Sequence, residues 1–190
     1  TANRGLCGGY NSNVLRLARN KIVEHQKEKR HVDLFVIGKK GNAFFKFLKL
    51  PVKQAILDID DAFHYDQAKH LADKLIAEFS TAHYDRVEIV STVYYSSALQ
   101  KPHLDAILPV GAQDVIDPAL ASHRAETSVK NHAAFIFEPD AKFILKRILP
   151  HVIRATVFRK ILEAVTSEQI YRRVAMKSAT DNAGQMGKML

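Results

Sequence analysis

Between Asp140 and Gly184 the chain meets a single helix breaker, Pro150, while apolar pairs and charged residues alternate throughout. Such a stretch has one regular solution, a long helix, which Pro150 can bend because proline lacks the N–H that the hydrogen-bond ladder uses. Asp140, following Pro139, is placed to cap it. Farther along, Val165, Gln169, Arg172, Met176, Ala179, Ala183, Met186 and Leu190 recur four and three apart in alternation. That spacing is the seam of a coiled coil, narrower than the stripe a globular-domain helix buries. Several seam residues are small or polar, among them Gln169, Ala179 and Ala183, so a companion helix can approach closely, yet the chain supplies no segment to pair with them. A helix of roughly forty residues is about 60 Å long at 1.5 Å per residue and is expected to protrude.

Residues 1–139 read differently and form the expected α/β body, with 140–190 as its projecting helix. Asn11, Ser12 and Asn13 are good N-cap residues, and Val14, Leu17, Ala18 and Ile22 follow at helical spacing. Val32 to Ile37 is a continuous apolar run closed by Gly38, the pattern of a strand covered on both faces in a parallel sheet. Phe44 to Leu50 reads as another strand, ended by Pro51. Ala68, Leu71, Ala72, Leu75, Ile76 and Phe79 mark one face of a second helix. Val87 to Tyr95, Leu104 to Val110 and Ala133 to Phe137 supply three further strands, and the polar segment 111–132 a mobile connection. The order is that of an α/β sandwich.

Composition narrows the setting. At 190 residues, 47% of them hydrophobic, the chain can bury one core and carry one appendage. A lone cysteine, Cys7, excludes a disulfide framework and favours a reducing compartment. No run approaches the roughly 18 to 20 uncharged apolar residues that a membrane-spanning helix needs. The net charge of +8 points to acidic partners without choosing among them, because the cations are spread along the chain as on a solvated surface.

Three stretches carry candidate chemistry. "GLCGG", residues 5–9, has glycines that let backbone N–H groups approach a phosphate ahead of a helix N-terminus. It lacks the Lys-Ser/Thr ending of a P-loop and the spacing of a dinucleotide fingerprint, so a structural turn is the favoured reading. Cys7 reads as a small residue packed under that turn rather than a nucleophile. "DIDDAFHYD", residues 58–66, offers carboxylates and a histidine, but not the ligand spacing of a calcium loop; an acidic lead-in to a helix explains it better. "KFLKLPVK", residues 46–53, has the basic and apolar mix of a nucleic-acid contact, and equally that of an ordinary amphipathic strand. No catalytic residue, metal ligand or cofactor site can be assembled from these.

Two stretches at opposite ends go further. "RGLCGGYNSN", residues 4–13, and "RRVAMKSATDNAG", residues 172–184, resemble the gamma subunit of the rotary F-type ATP synthase in order and separation, and "ILPHVIRATVFRKILEAVTSEQ", residues 148–169, continues the likeness. The resemblance implies a Rossmann-like, three-layer α/β domain whose long C-terminal helix belongs to an antiparallel coiled coil. It further implies a non-catalytic central-stalk rotor, binding no nucleotide, that couples proton-driven c-ring rotation to ATP synthesis or hydrolysis. The implied partners are the alpha and beta subunits of the catalytic ring, the epsilon subunit and the membrane c ring, with no nucleic acid and no direct membrane insertion. The implied location is the cytoplasmic face of a bacterial inner membrane, or the matrix side of the mitochondrial one. Arg172, Lys177, Thr180, Asp181 and Asn182 would then make polar contacts with the ring, while Met176, Ala179 and Ala183 face the companion helix. Against the family pattern the long N-terminal helix is absent, the C-terminal helix carries Gly184 and Gly187 near its end, and the chloroplast paired-cysteine insertion is missing. A stand-alone α/β enzyme with "GLCGG" as its phosphate loop is the competing expectation.

Overall fold

The computed structural model describes residues 1–57, 63–111 and 140–189. In chain order these form α1 (Tyr10–Lys27), β1 (Leu34–Ile37), α2 (Lys39–Phe47), β2 (Val52–Ile56), α3 (Tyr65–Ser80), β3 (Val87–Tyr94), β4 (Gln100–Leu108) and α4 (Ala141–Met189). The chain divides into two compact units, one of Thr1–His64, Val90–Asp105 and Arg159–Leu190, the other of Tyr65–Ile89 and Ala106–Phe158.

In the first unit β1 and β2 pair in parallel, Val36 opposite Ala55 and Ile37 opposite Ile56, with a register shift between Leu34 and Phe35. Parallel neighbours need a crossover between them, and α2 provides it. Leu15, Ile22, Val36 and Phe45 form the core, ringed by Ala18, Val32, Leu34, Phe44, Leu50 and Val52. The strand expected over Phe44 to Leu50 is therefore a helix, Lys39–Phe47. The local sequence satisfies both periods, but helical spacing buries Gly41 and Phe45 together, whereas a period of two would put Phe45 and Phe47 on one face. Phe45 is 5% exposed and Phe47 83%. Pro51 precedes a strand instead of ending one, a position that leaves its missing N–H without consequence.

Three helices stop the same way. Lys29, Lys49 and Ala82 adopt positive φ, and the next amides bond back to carbonyls five residues earlier: Arg30 to His25 at 2.9 Å, Leu50 to Phe45 at 3.0 Å and His83 to Glu78 at 3.0 Å. This closure usually recruits glycine, and none of the three positions has it.

In the second unit Ala68, Ala72 and Leu75 of α3, Ile107 and Leu108 of β4, and Ile153 and Val157 of α4 are buried. The Arg154 guanidinium donates to Asp73 Oδ1 at 2.6 Å, and the Tyr65 and Phe158 rings meet edge to face with centroids 5.5 Å apart. β3 and β4 form a second two-stranded sheet, and a connection as short as 95–99 requires them to be antiparallel. The strand expected over 104–110 spans Gln100–Leu108, while the one expected over Ala133–Phe137 lies outside the described residues. So does all but the first residue of the connection expected over 111–132.

The long helix is present as α4, 49 residues with Pro150 inside it, about 70 Å along its axis. The Ile144 amide bonds to the Asp140 carbonyl at 3.1 Å in its first turn. No helix among the described residues is long and apolar enough to cross a membrane.

Candidate interface on the long helix

The glycine-rich turn binds its own chain. Gly8 has φ near 52° and Leu6 near 61°, and the reversal lets the Tyr10 amide reach the Cys7 carbonyl at 3.1 Å and the Asn13 amide reach Gly9 at 3.0 Å. Gly9, not one of the expected asparagines or Ser12, is the N-cap of α1. Asn11 instead bridges: its Oδ1 accepts from the Ala2 amide at 2.9 Å and its Nδ2 donates to Cys7 Sγ at 3.1 Å. Cys7 is buried at 3% exposure, as a packed residue rather than a nucleophile.

The N-terminus of α2, the other place where backbone donors gather, is also filled. The Lys39 amide donates to Asn3 Oδ1 at 3.0 Å, Lys40 to the Ala2 carbonyl at 3.1 Å and Gly41 to Thr1 Oγ1 at 3.1 Å. The Thr1 hydroxyl in turn donates to the Ile37 carbonyl at 2.7 Å. Gly38, with φ near 98°, allows this, because a Cβ there would strike the Thr1 carbonyl. Oxygens of residues 1–3 thus occupy the first-turn amides of α2. The acidic stretch 58–66 lies outside the described residues over 58–62, and its Asp66 sits in the first turn of α3, where it favours the helix dipole.

Seen from α4, the same turn is a seat. Positions where a Gly8 Cβ would stand are 3.8 Å from Tyr171 Cδ1 and 3.9 Å from Ala175 Cβ, and the Tyr10 and Tyr171 rings lie 5.9 Å apart. Tyr171 packs on the cluster of Ala2, Cys7 and Tyr10. Along the part of α4 in the first unit the covered positions include Lys160, Ile161 and Ser167, with Tyr171 and Ala175 following Ser167 at four-residue intervals. At about 100° per residue this stripe is centred roughly a quarter turn from the predicted seam. Arg172, Met176, Ala179 and Ala183 line up on the adjacent stripe, flanked by Thr180 and Asn182, while Lys177 and Asp181 point away from it. All of these except Arg172 are exposed, Met176 at 46%. Thr180 Oγ1 donates to the Met176 carbonyl at 3.0 Å, inside its own helix. Arg172 is half-buried and donates to Glu168 Oε1 at 2.6 Å and Gln169 Oε1 at 2.9 Å. Sequence periodicity missed the covered stripe, whose aromatic and polar members do not read as a seam.

The covered stripe contains an ion pair. Lys160 Nζ, almost wholly buried, lies 2.7 Å from Asp105 Oδ2 on β4, and His103 Nε2 is 3.7 Å from the other oxygen. Burial, reinforced by the charges of Glu168 and Cys7, pushes the Tyr10 hydroxyl well above its ordinary value. The Lys160–Asp105 pair thus ties α4 to β4.

A family model described as ATP synthase matches residues 1–190. The chain belongs to that family, the one of the ATP synthase gamma chains. It is 43% identical over 191 residues to the ATP synthase gamma chain of Leptospira biflexa and 34% identical over 190 residues to that of Rhodopirellula baltica, covering 100% of this chain in each case. It spans 62% of the length of both relatives. The fold is similar to a chain of the central stalk and c ring of Tetrahymena thermophila mitochondrial ATP synthase, with a TM-score of 0.66 at 21% identity over 95% of this chain and 73% of that one. A chain of the Euglena gracilis mitochondrial ATP synthase rotor gives 0.58 at 21% identity over 100% of this chain and 67% of that one.

Proposed function

We propose that this chain is part of the non-catalytic central-stalk rotor of an ATP synthase, with residues 140–190 as one strand of the shaft and residues 1–139 as its anchoring body. The observation that carries the reading is the helical end 176–189, exposed at every position and displaying Met176, Met186 and Met189. An isolated helix of about that length is marginal in water, and Gly184 and Gly187 weaken it further, so it needs an external surface to pack on. The stripe through Met176, Ala179 and Ala183 seats a companion helix; Arg172, Lys177, Thr180, Asp181 and Asn182 face the alpha and beta subunits.

An asymmetric rod of this kind works without chemistry of its own. Each angular position offers different contacts to each surrounding subunit, and only differential contacts shift a conformational equilibrium. The body connects below to the epsilon subunit and the c ring, on the cytoplasmic side of a bacterial membrane. Reconstitution of the full-length subunit with alpha and beta subunits tests this. We expect an assembled ring whose ATP hydrolysis requires the subunit, and assembly that fails for Met176→Glu/Ala179→Glu with the circular dichroism of the body intact. No complex with the wild-type subunit, or saturable ATP binding by the chain alone, overturns it.

A further inference from the structure

The chain's charge is not spread evenly once folded. Residues 1–23 and 34–57 hold nine basic side chains and no acidic one, against a net charge of +8 for the whole chain, so the remainder is close to neutral. The fold brings these two acid-free segments together as α1 and the β1–α2–β2 crossover. Between α1 and α2 runs an open groove of about 560 Å³ with Leu15 and Phe44 on its floor, Arg16 and Arg19 along one wall and Lys40 on the other. Arg16 reaches Asn13 Oδ1 at 3.3 Å, and none of the three cations forms an ion pair among the described residues.

Two further features say what the groove accepts. Arg16 and Arg19 are one turn apart on α1, matching carboxylates at the same spacing on a facing segment. Lys39 and Lys40 occupy the first turn of α2, which holds no acidic residue, so they oppose their own helix dipole, an arrangement that becomes favourable only when negative charge lies alongside. Cations on both walls of an apolar strip fit a segment that is itself apolar on one side and acidic on the other. A nucleic-acid strand would bring charge to the walls but nothing apolar to the floor.

We infer that the α1–α2 groove is a docking surface for an acidic amphipathic segment of a partner protein. The proposal is independent of the shaft reading, which concerns α4. A fluorescent amphipathic peptide of leucine and glutamate at helical spacing is titrated into the full-length chain at low salt. Binding should saturate, weaken as salt is added, fall at least about tenfold in Arg16→Glu/Arg19→Glu and persist in Lys188→Glu. Unchanged thermal unfolding of the double variant keeps that loss attributable to the groove. No saturable binding, or equal binding by the charge-reversed variant, overturns the inference. Tighter, equally groove-dependent binding of single-stranded RNA or of anionic phospholipid vesicles overturns the choice of a protein partner.

Discussion

At the residue scale the most consequential pair is Lys160 with Asp105, because it joins α4 to β4 through a nearly buried ammonium. Removing one member strands a charge in a dry place, so Lys160→Ala should cost about 3 kcal/mol in urea unfolding, while Lys160→Met/Asp105→Leu recovers most of it. Ser167, fully buried with no hydrogen-bond partner for its hydroxyl among the described residues, behaves oppositely. Ser167→Ala removes an unsatisfied group and should be neutral or stabilising by up to about 1 kcal/mol in the same assay. Tyr10 gives a pH signature. Its folded pKa is raised by burial, so the stability it contributes is complete below the ordinary tyrosine value near 10 and declines as pH rises above it, where only the unfolded state ionises. Ultraviolet titration should show one of the six tyrosines ionising only as the fold is lost, a lagging step that Tyr10→Phe removes.

At the scale of elements, the glycines divide into those the fold needs and those it tolerates. Gly38→Ala forces a side chain into positive φ and into the Thr1 carbonyl, and should destabilise by at least about 3 kcal/mol. Gly184 has open space around its Cβ position within α4, so Gly184→Ala should add about 1 kcal/mol of helix propensity, read as increased helicity by circular dichroism. Lys49→Gly relieves a positive φ at the end of α2 and should raise the unfolding midpoint. Most elements were legible beforehand: helices α1, α3 and α4 through their apolar spacing, and the β1 strand through its continuous apolar run. Two elements were missed, α2 and the strand β2 (Val52–Ile56) that follows it, and α2 was unreadable for a definite reason. Phe44, Phe45, Phe47 and Leu48 fit a two-residue and a 3.6-residue period alike, and only the requirement for a crossover between parallel strands decides between them.

For the whole molecule, the open end of α4 sets the clearest expectation. Amides of residues 176–189 should exchange rapidly in the free chain and slow at least about tenfold once it is assembled with alpha and beta subunits, as measured by hydrogen exchange; unchanged exchange would remove α4 from the shaft.

The sequence by itself determined that a long helix follows Asp140 and that the glycine turn precedes α1, since breaker content and periodicity are local properties of the chain. Tertiary structure alone decided which neighbouring stripe of that helix is covered, that Thr1 to Asn3 fill the amides of α2, and that scattered cations converge on one groove. Those outcomes depend on contacts between residues far apart in the chain, such as Gly8 with Tyr171 and Thr1 with Gly41, and periodicity within a segment carries no information about them.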